Sequence, residues 1–483
     1  MIDANAPAWP RGLGRRLATL LAAVGLPLVV SSSSPARQQD VPQDPSGTQA
    51  EPEGDADAEE EEATPEQEDA ADVLADSIYV DPKATAAMRG TFEQLHASVR
   101  VPLNTDRAIA QMVRGGRVDA GLIDRFIKDA ARQLTDPANI QAVMQPDGSQ
   151  RNIQEIQDAG RYLMLPYLEV PAGERDRRFI QEFNTRLLAV VPDLLKNHLY
   201  SRVQAMQALS QMGDPLALDL LIAQLGDPEQ PLIVKQLAAE GIDRIARDAS
   251  GSLTPNQREK AANALVDFLR NNREAYWLAH ARALQALGSL RSISGIQNRN
   301  EAVFADEVLQ AISSIDLRLE TRAWAAWAAG MFEIPPSYPQ LNFSLASYMI
   351  GQLAVEVGER IVELSDPRED GSFDPERVKY QTALLVSPIF QSLEGSRELR
   401  GSGLKNTNAV GPHQAYVNRV HQLIRQLAAS SVELTRAVGG QRPAARDGVI
   451  RSLNELRTFL EQNPPDDRTF VPGGREFALN DAS

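Results

Sequence analysis

The sequence contains no cysteine, which excludes disulfides, thiolate metal sites, a cysteine nucleophile and a lipidated N-terminal cysteine. Aromatic residues are also scarce, at 5% of 483 residues, although 43% of the chain is hydrophobic. Most of that apolar material is Ala and Leu, which lose little on entering a helix, whereas aromatic and β-branched residues prefer sheets. The composition therefore favours a helical protein with ample core material.

The negative charge is concentrated in one stretch. Residues 38–82 hold sixteen acidic residues and no basic one, and account for the whole formal net charge of −16. Residues 1–37 contribute +3, so the remaining body carries only −3. A near-neutral body gives no reason to expect a nucleic-acid partner, because such proteins usually present a basic face.

The N-terminus has the pattern of an export signal. Arg11, Arg15 and Arg16 precede the apolar run LATLLAAVGLPLVV and the small residues SSSSPA. This pattern predicts a signal peptide over residues 1–36, a mature chain that begins near Arg37, and a location in the periplasm, cell envelope or medium. The alternative is an uncleaved N-terminal anchor, which is the only membrane contact we expect. The Arg pair also fits a twin-arginine signal, so the export route stays open.

The segment that follows, residues 37–80, combines Pro, Gly and Gln with the run DADAEEEEATPEQEDAAD. Like charges repel, and the segment has no apolar pattern to offset the entropy of ordering. We therefore expect a disordered acidic linker.

From residue 82 onward nearly every segment has helical periodicity. Asp81 and Pro82 have the pattern of an N-cap followed by proline in the first turn. Further along, Leu122, Phe126 and Ile127 share one helical face. We predict an all-α fold whose N-terminal helical region spans residues 81–173.

Gly-Asp-Pro occurs twice, at 213–215 and 226–228, with an apolar stretch between the two copies. Glycine closes a helix in the left-handed conformation, while Asp followed by Pro can start the next one. The two copies therefore predict a short helix over 215–225, with a left-handed residue at both Gly213 and Gly226.

Four nine-residue windows, which start at 201, 234, 279 and 321, align without gaps. Their fifth position is always alanine: Ala205, Ala238, Ala283 and Ala325. Their second position carries a basic residue or histidine: Arg202, Lys235, His280 and Arg322. The spacing of the windows is typical of a two-helix repeat in which small side chains let helices approach closely.

Residues 201–242, SRVQAMQALSQMGDPLALDLLIAQLGDPEQPLIVKQLAAEGI, resemble the bacterial HEAT-repeat family, and the resemblance extends over about 201–332. It implies a curved HEAT-like α-solenoid of stacked helix pairs, which we place at 174–335. It also implies protein-binding surfaces. It does not imply a catalytic activity, because this family mostly supplies scaffolds.

The pattern changes in the C-terminal helical region, residues 336–463, which precedes a tail at 464–483. Helices are predicted at 343–364 and 375–394, followed by two more, at 412–439 and 444–462, that form an antiparallel hairpin. A dimerising coiled coil is the alternative for this last pair.

No residue pattern indicates catalysis, and we expect no cofactor or metal. The histidines form no metal-like cluster, although His413 and His421 fall roughly on one helical face. The loop at 366–377 lacks carboxylates where a calcium loop needs them, and Ser402 with Lys405 forms an isolated Ser-x-x-Lys.

The candidate partner-binding residues fall into two sets. One is the second-position ladder of Arg202, Lys235, His280 and Arg322, whose alternative role is to brace the neighbouring turn. The other is the tryptophans Trp277, Trp324 and Trp327, whose alternative role is core packing.

These observations predict an exported, non-catalytic scaffold that binds other proteins of the cell envelope. One alternative is an accessory subunit or an enzyme whose site lies in the helices of 81–170 or 336–463. Another is a structural spacer. The sequence leaves the partner and the oligomeric state open.

Overall fold

The computed structural model describes residues 81–479, except for residues 91, 146–147, 249–251, 297–300, 335–337, 339–340 and 367–373. The predicted signal peptide and acidic linker lie outside the described residues. The described part is all-helical, as predicted, and its only β pairing is an isolated bridge between Thr469 and Glu476.

Six helices precede the first aligned window: α1 (Pro82–Arg89), α2 (Thr105–Val113), α3 (Ala120–Leu134), α4 (Pro137–Met144), α5 (Gln150–Leu168) and α6 (Arg177–Leu194). Asp81 caps α1 as predicted, because its carboxylate accepts from the backbone N–H of Lys83. Phe126 and Ile127 of α3 are buried, and Leu122 is partly buried.

The middle of the chain forms seven helices: α7 (Leu199–Met212), α8 (Leu218–Gly226), α9 (Leu232–Asp248), α10 (Pro255–Asn271), α11 (Trp277–Leu290), α12 (Val303–Ser313) and α13 (Leu319–Met331). The aligned windows lie on α7, α9, α11 and α13, and each of these helices packs on the next. The alternate helices α8, α10 and α12 pack beside them as a second row. All four window alanines, Ala205, Ala238, Ala283 and Ala325, are fully buried.

The two Gly-Asp-Pro sequences have different structures. Gly213 ends α7 in the left-handed conformation, with φ of 63°, and Asp214 accepts from the N–H of Leu216. Gly226, by contrast, is the last residue of α8, and the prediction of a left-handed residue there is wrong. Asp227 accepts from Glu229 within a turn, and α9 begins only at Leu232. The chain leaves the helix one residue later, at Asp227, which is extended as expected of a residue before proline. Pro231 in turn disfavours the helical conformation of Gln230, so α9 starts only after it.

Asp81 connects two helices that are far apart in the sequence. Its Oδ1 accepts from the N–H of Lys83 in α1, and its Oδ2 accepts from the N–H of Leu232, the first residue of α9, at 2.6 Å. One carboxylate therefore serves two helix starts.

Replacing Asp81 with alanine is expected to lower the free energy of unfolding by about 1–2 kcal/mol, because both helix starts lose their acceptor. The measurement is urea denaturation followed by circular dichroism. Asp81→Asn keeps one acceptor oxygen and should show a smaller loss, while Lys83→Ala, which removes only an exposed side chain, serves as the control. Equal stability of Asp81→Ala and the unsubstituted chain would contradict a double cap.

The C-terminal helices are α14 (Phe343–Ser365), α15 (Pro375–Leu384), α16 (Phe390–Glu394), α17 (Gln414–Arg436) and α18 (Arg442–Gln462). The helix predicted at 375–394 is interrupted by a π-helical turn, Leu385–Ile389, because Pro388 has no N–H for the regular pattern. The predicted hairpin is confirmed, because α17 packs against α18. Tyr416 in the first turn of α17 donates to the carbonyl oxygen of Asn463, directly after α18, so the start of one helix meets the end of the other. Both helices pack on α14, which buries the apolar residues of α17 within the chain.

Candidate partner-binding surface

Three members of the second-position ladder contact the backbone near the C-terminal end of the preceding helix. The Nε of Arg202 donates to the carbonyl oxygen of Asn197 at 2.6 Å, and the Nε of Arg322 donates to that of Ile312 at 2.9 Å. His280 forms the same kind of hydrogen bond through Nε2, with the carbonyl oxygen of Asn272 at 2.7 Å. Three of the four side chains therefore bind backbone carbonyls of their own chain.

The low solvent exposure of the ladder side chains also favours the bracing alternative. Arg322 is 3% exposed and forms an ion pair with Glu356 at 2.7 Å. Lys235 is 5% exposed, and burial, together with the nearby Lys83, lowers the pKa of its amine. The partner-binding role of these residues stays a prediction, and their contacts favour the bracing alternative.

Changing Arg202, His280 or Arg322 singly to alanine is expected to lower the free energy of unfolding by roughly 1 kcal/mol, because each change removes a bond to a backbone carbonyl. Thermal denaturation monitored by circular dichroism checks this. The exposed Arg273, changed to alanine in the same way, should leave the melting temperature unaltered. Unchanged melting in all three ladder variants would remove the bracing interpretation and restore the binding one.

The three tryptophans lie in different environments. Trp327 is buried, and its Nε1 donates to Oε1 of Gln391 in α16 at 3.2 Å, so its contacts fit the core-packing alternative. Trp324 is partly exposed and packs edge-on against Trp327, with ring centroids 5.7 Å apart. Trp277 is also partly exposed, and the guanidinium of Arg318 lies 5.5 Å from the centroid of its ring. Trp277 and Trp324 are thus the accessible members of the set.

A residue that the sequence did not indicate joins them. Tyr380 of α15 is 41% exposed, and its hydroxyl donates to Oε1 of Glu320 at 3.2 Å. Burial of the hydroxyl end and the carboxylate of Glu320 raise the pKa of Tyr380, and Tyr276 lies close enough to contribute. Glu320 also accepts from Arg318 at 3.3 Å and lies one helical turn before Trp324.

We call this group the aromatic surface; its members are Trp277, Arg318, Glu320, Trp324 and Tyr380. The surface joins the start of α11, the start of α13 and the middle of α15. No sequence signal links residue 380 to residue 320, because the pairing depends on how α15 packs. The surface offers flat apolar rings beside one exposed cation, Arg318, while the buried carboxylate of Glu320 holds Arg318 and Tyr380 in place. Such a surface suits recognition of another protein.

Two polar pairs between the window helices α9 and α11 were not predicted from the sequence. Arg282 of α11 pairs with Glu240 of α9 at 3.0 Å, and Ser289 donates to Asp243 at 2.6 Å. Glu240 and Arg282 occupy the seventh and fourth positions of the aligned windows, so the same alignment contained the signal. These pairs tie α9 to α11, and the side chains of Glu240 and Arg282 are partly exposed.

The two histidines predicted to share a helical face have different partners in the fold. His413 bonds Ser344 at 2.8 Å, whereas His421 bonds Glu394 at 2.6 Å, and Glu394 also pairs with Lys405. Ser402 is buried and accepts from the N–H of Ser396. Within the described residues no group of three or more His, Asp or Glu side chains is placed to hold a metal ion.

Each helix in the described ranges is too short or too polar to cross a bilayer. Comparison with protein-family models, with curated proteins and with solved structures finds no match for this chain.

Proposed function

We propose that this chain is an exported HEAT-like α-solenoid that acts as a non-catalytic scaffold and binds another protein of the cell envelope. Two observations support the solenoid: the aligned windows recur in the sequence, and the helices that carry them pack on one another in chain order. The N-terminal pattern supports export. N-terminal sequencing of the secreted chain should find Arg37 or a close neighbour as its first residue.

The aromatic surface supports binding. The few residues that dominate the energy of protein interfaces are enriched in Trp, Tyr and Arg. The aromatic rings among them bury a large area with little loss of side-chain freedom. Here Trp277, Trp324 and Tyr380 are held by neighbours yet remain accessible. A surface that is already ordered loses less entropy on binding.

The combined change Trp277→Ala and Tyr380→Ala is expected to weaken partner binding by about tenfold or more, since truncation of an aromatic hot spot typically costs about 2 kcal/mol. Partners are first identified by affinity capture from envelope extract and mass spectrometry. The affinity of each purified partner for both chains is then measured by calorimetry.

The matched control is Leu103→Ala with Leu168→Ala, two exposed apolar residues of the N-terminal region that lie outside the aromatic surface. This control should bind with unchanged affinity. Equal affinity of the aromatic variant would place the binding surface elsewhere. Failure to capture any partner would favour the structural-spacer alternative, and a captured enzyme whose rate depends on this chain would favour an accessory subunit.

A further inference from the structure

Five exposed arginines lie at one corner of the N-terminal region. One is in α2, two are in the connection that follows it, and two are in the first turn of α6: Arg107, Arg114, Arg117, Arg177 and Arg178. The backbone N–H of Asp176 donates to the carbonyl oxygen of Val113 at 2.7 Å and holds the two stretches together. We call these five residues the arginine corner.

Four acidic residues, Asp106, Asp119, Glu174 and Asp176, stand beside the arginine corner in the chain and offset part of its charge without pairing with its guanidinium groups. The carboxylate of Asp119 accepts from the N–H of Leu122, and that of Asp176 accepts from the N–H of Phe179, so both serve as helix caps. Within the described part of the chain, none of the five guanidinium groups makes a hydrogen bond or an ion pair with a side chain.

Arginines elsewhere in these helices behave differently. Arg151 pairs with Glu155 and Arg186 with Glu182, each one helical turn away, which is the usual way for a helix to offset an exposed cation. The arginine corner leaves five cations directed to solvent. Guanidinium groups bind carboxylates through two parallel hydrogen bonds, so a polyanionic peptide fits this surface well.

We propose that the arginine corner binds the acidic segment of the same chain, residues 40–76. That segment holds fifteen Asp and Glu residues and no Lys or Arg. It reaches the folded body at Asp81, which is fixed to α1 and α9. A flexible chain of its length spans roughly 35 Å on average, and such a linker gives an effective concentration on the order of millimolar.

The bound state is a set of exposed ion pairs, each of them weak and screened by salt. The segment thereby covers the arginine corner at low ionic strength and leaves it at high ionic strength. Binding of the chain's own segment would also keep the arginine corner from other anions of the envelope.

The test uses the full chain, which has no cysteine of its own, so dyes attach only at cysteines that are introduced. Two cysteines are introduced for fluorescent dyes, by Thr48→Cys before the densest acidic run and by Gln111→Cys, an exposed position of α2 next to Arg107 and Arg114. In the variant with all five arginines changed to glutamine, we expect energy transfer to fall about twofold, because the segment is then restrained only at Asp81. Raising NaCl from about 20 mM to about 500 mM should produce the same fall without any substitution, because it shortens the Debye length several-fold.

A matched variant removes the same charge elsewhere, through glutamine at five other exposed arginines: Arg273, Arg397, Arg425, Arg436 and Arg451. It should retain the transfer of the unsubstituted chain. A second dye pair, Thr48→Cys with Glu461→Cys at the end of α18, should not respond to changes in the arginine corner. Equal transfer in the two glutamine variants would overturn the proposal. It would also be overturned if the corner variant kept full transfer but lost sedimentation with phosphatidylglycerol vesicles, since the arginine corner would then bind a lipid surface.

Discussion

Replacing Ala325 with leucine is expected to lower the free energy of unfolding by about 1–3 kcal/mol, and leucine at Ala205, Ala238 or Ala283 should do the same. The four alanines are fully buried on helices that pack side by side. The spacing between these helices leaves no room for added carbon. A Cβ added to Gly288 of α11 would lie 2.7 Å from the Cα of Ala328 on α13, and one added to Gly241 of α9 would lie 3.3 Å from the Cα of Ser210 on α7.

The measurement is urea denaturation of each single variant. The control is Ala429→Leu, the same change at an exposed position in the middle of α17. Because leucine is almost as good a helix former as alanine, this control should unfold at nearly the same urea concentration as the unsubstituted chain. If all four variants are as stable as the control, the window alanines do not mark the closest contacts between the helices α7, α9, α11 and α13.

Acid is expected to destabilise the protein through His198, by on the order of 3 kcal/mol between pH 6.5 and 4. His198 is 2% exposed, and its Nδ1 accepts from the N–H of Tyr200 to cap α7. Burial, together with the charge of Arg202, lowers the pKa of the imidazole from 6.5 to about 4. The folded state thus binds a proton less readily than the unfolded state. The stabilisation is complete above pH 6.5 and is lost as the pH falls through the folded pKa near 4.

The variant His198→Asn separates this effect from other acid titrations. Asparagine keeps an oxygen that can cap the helix but does not titrate in this range. Stability of the unsubstituted chain should fall more steeply than that of the variant between pH 6.5 and 4. Burial also lowers the pKa of His280 and His421, so both proteins retain some acid sensitivity. Parallel pH profiles would contradict a buried, neutral His198.

The sequence predicts the features that depend on neighbours along the chain. Helical periodicity locates α14, α17 and α18 to within a few residues, and the residue pattern around Gly213 predicts its left-handed conformation. The prediction fails at Gly226, which stays helical because the chain leaves α8 at Asp227, the residue before Pro228. The prediction of one continuous helix over 375–394 also fails, because a π-helical turn interrupts it around Pro388. A proline inside a helical pattern can kink the helix or be accommodated by a π-helical turn, and the pattern alone does not distinguish these outcomes.

Features that depend on tertiary packing could not be predicted. The bond from Asp81 to the start of α9 spans 151 residues, and the bond from Tyr380 to Glu320 spans 60. Periodicity states which face of a helix is apolar, but not which helix will cover that face. For this reason the sequence indicated Trp277 and Trp324 without Tyr380, and gave no reason to separate them from the buried Trp327.

The double cap of Asp81 also determines how the folded body responds to mechanical tension. If the N-terminal segment is tethered, a pull on it reaches the body at Asp81, where the carboxylate is bonded to α9 as well as to α1. Force therefore reaches the folded body at α9, the second of the window helices, as well as at α1, and is shared between two attachment points. Detaching α1 under load requires the bond to Leu232 to break, so α1 and α9 resist extension together.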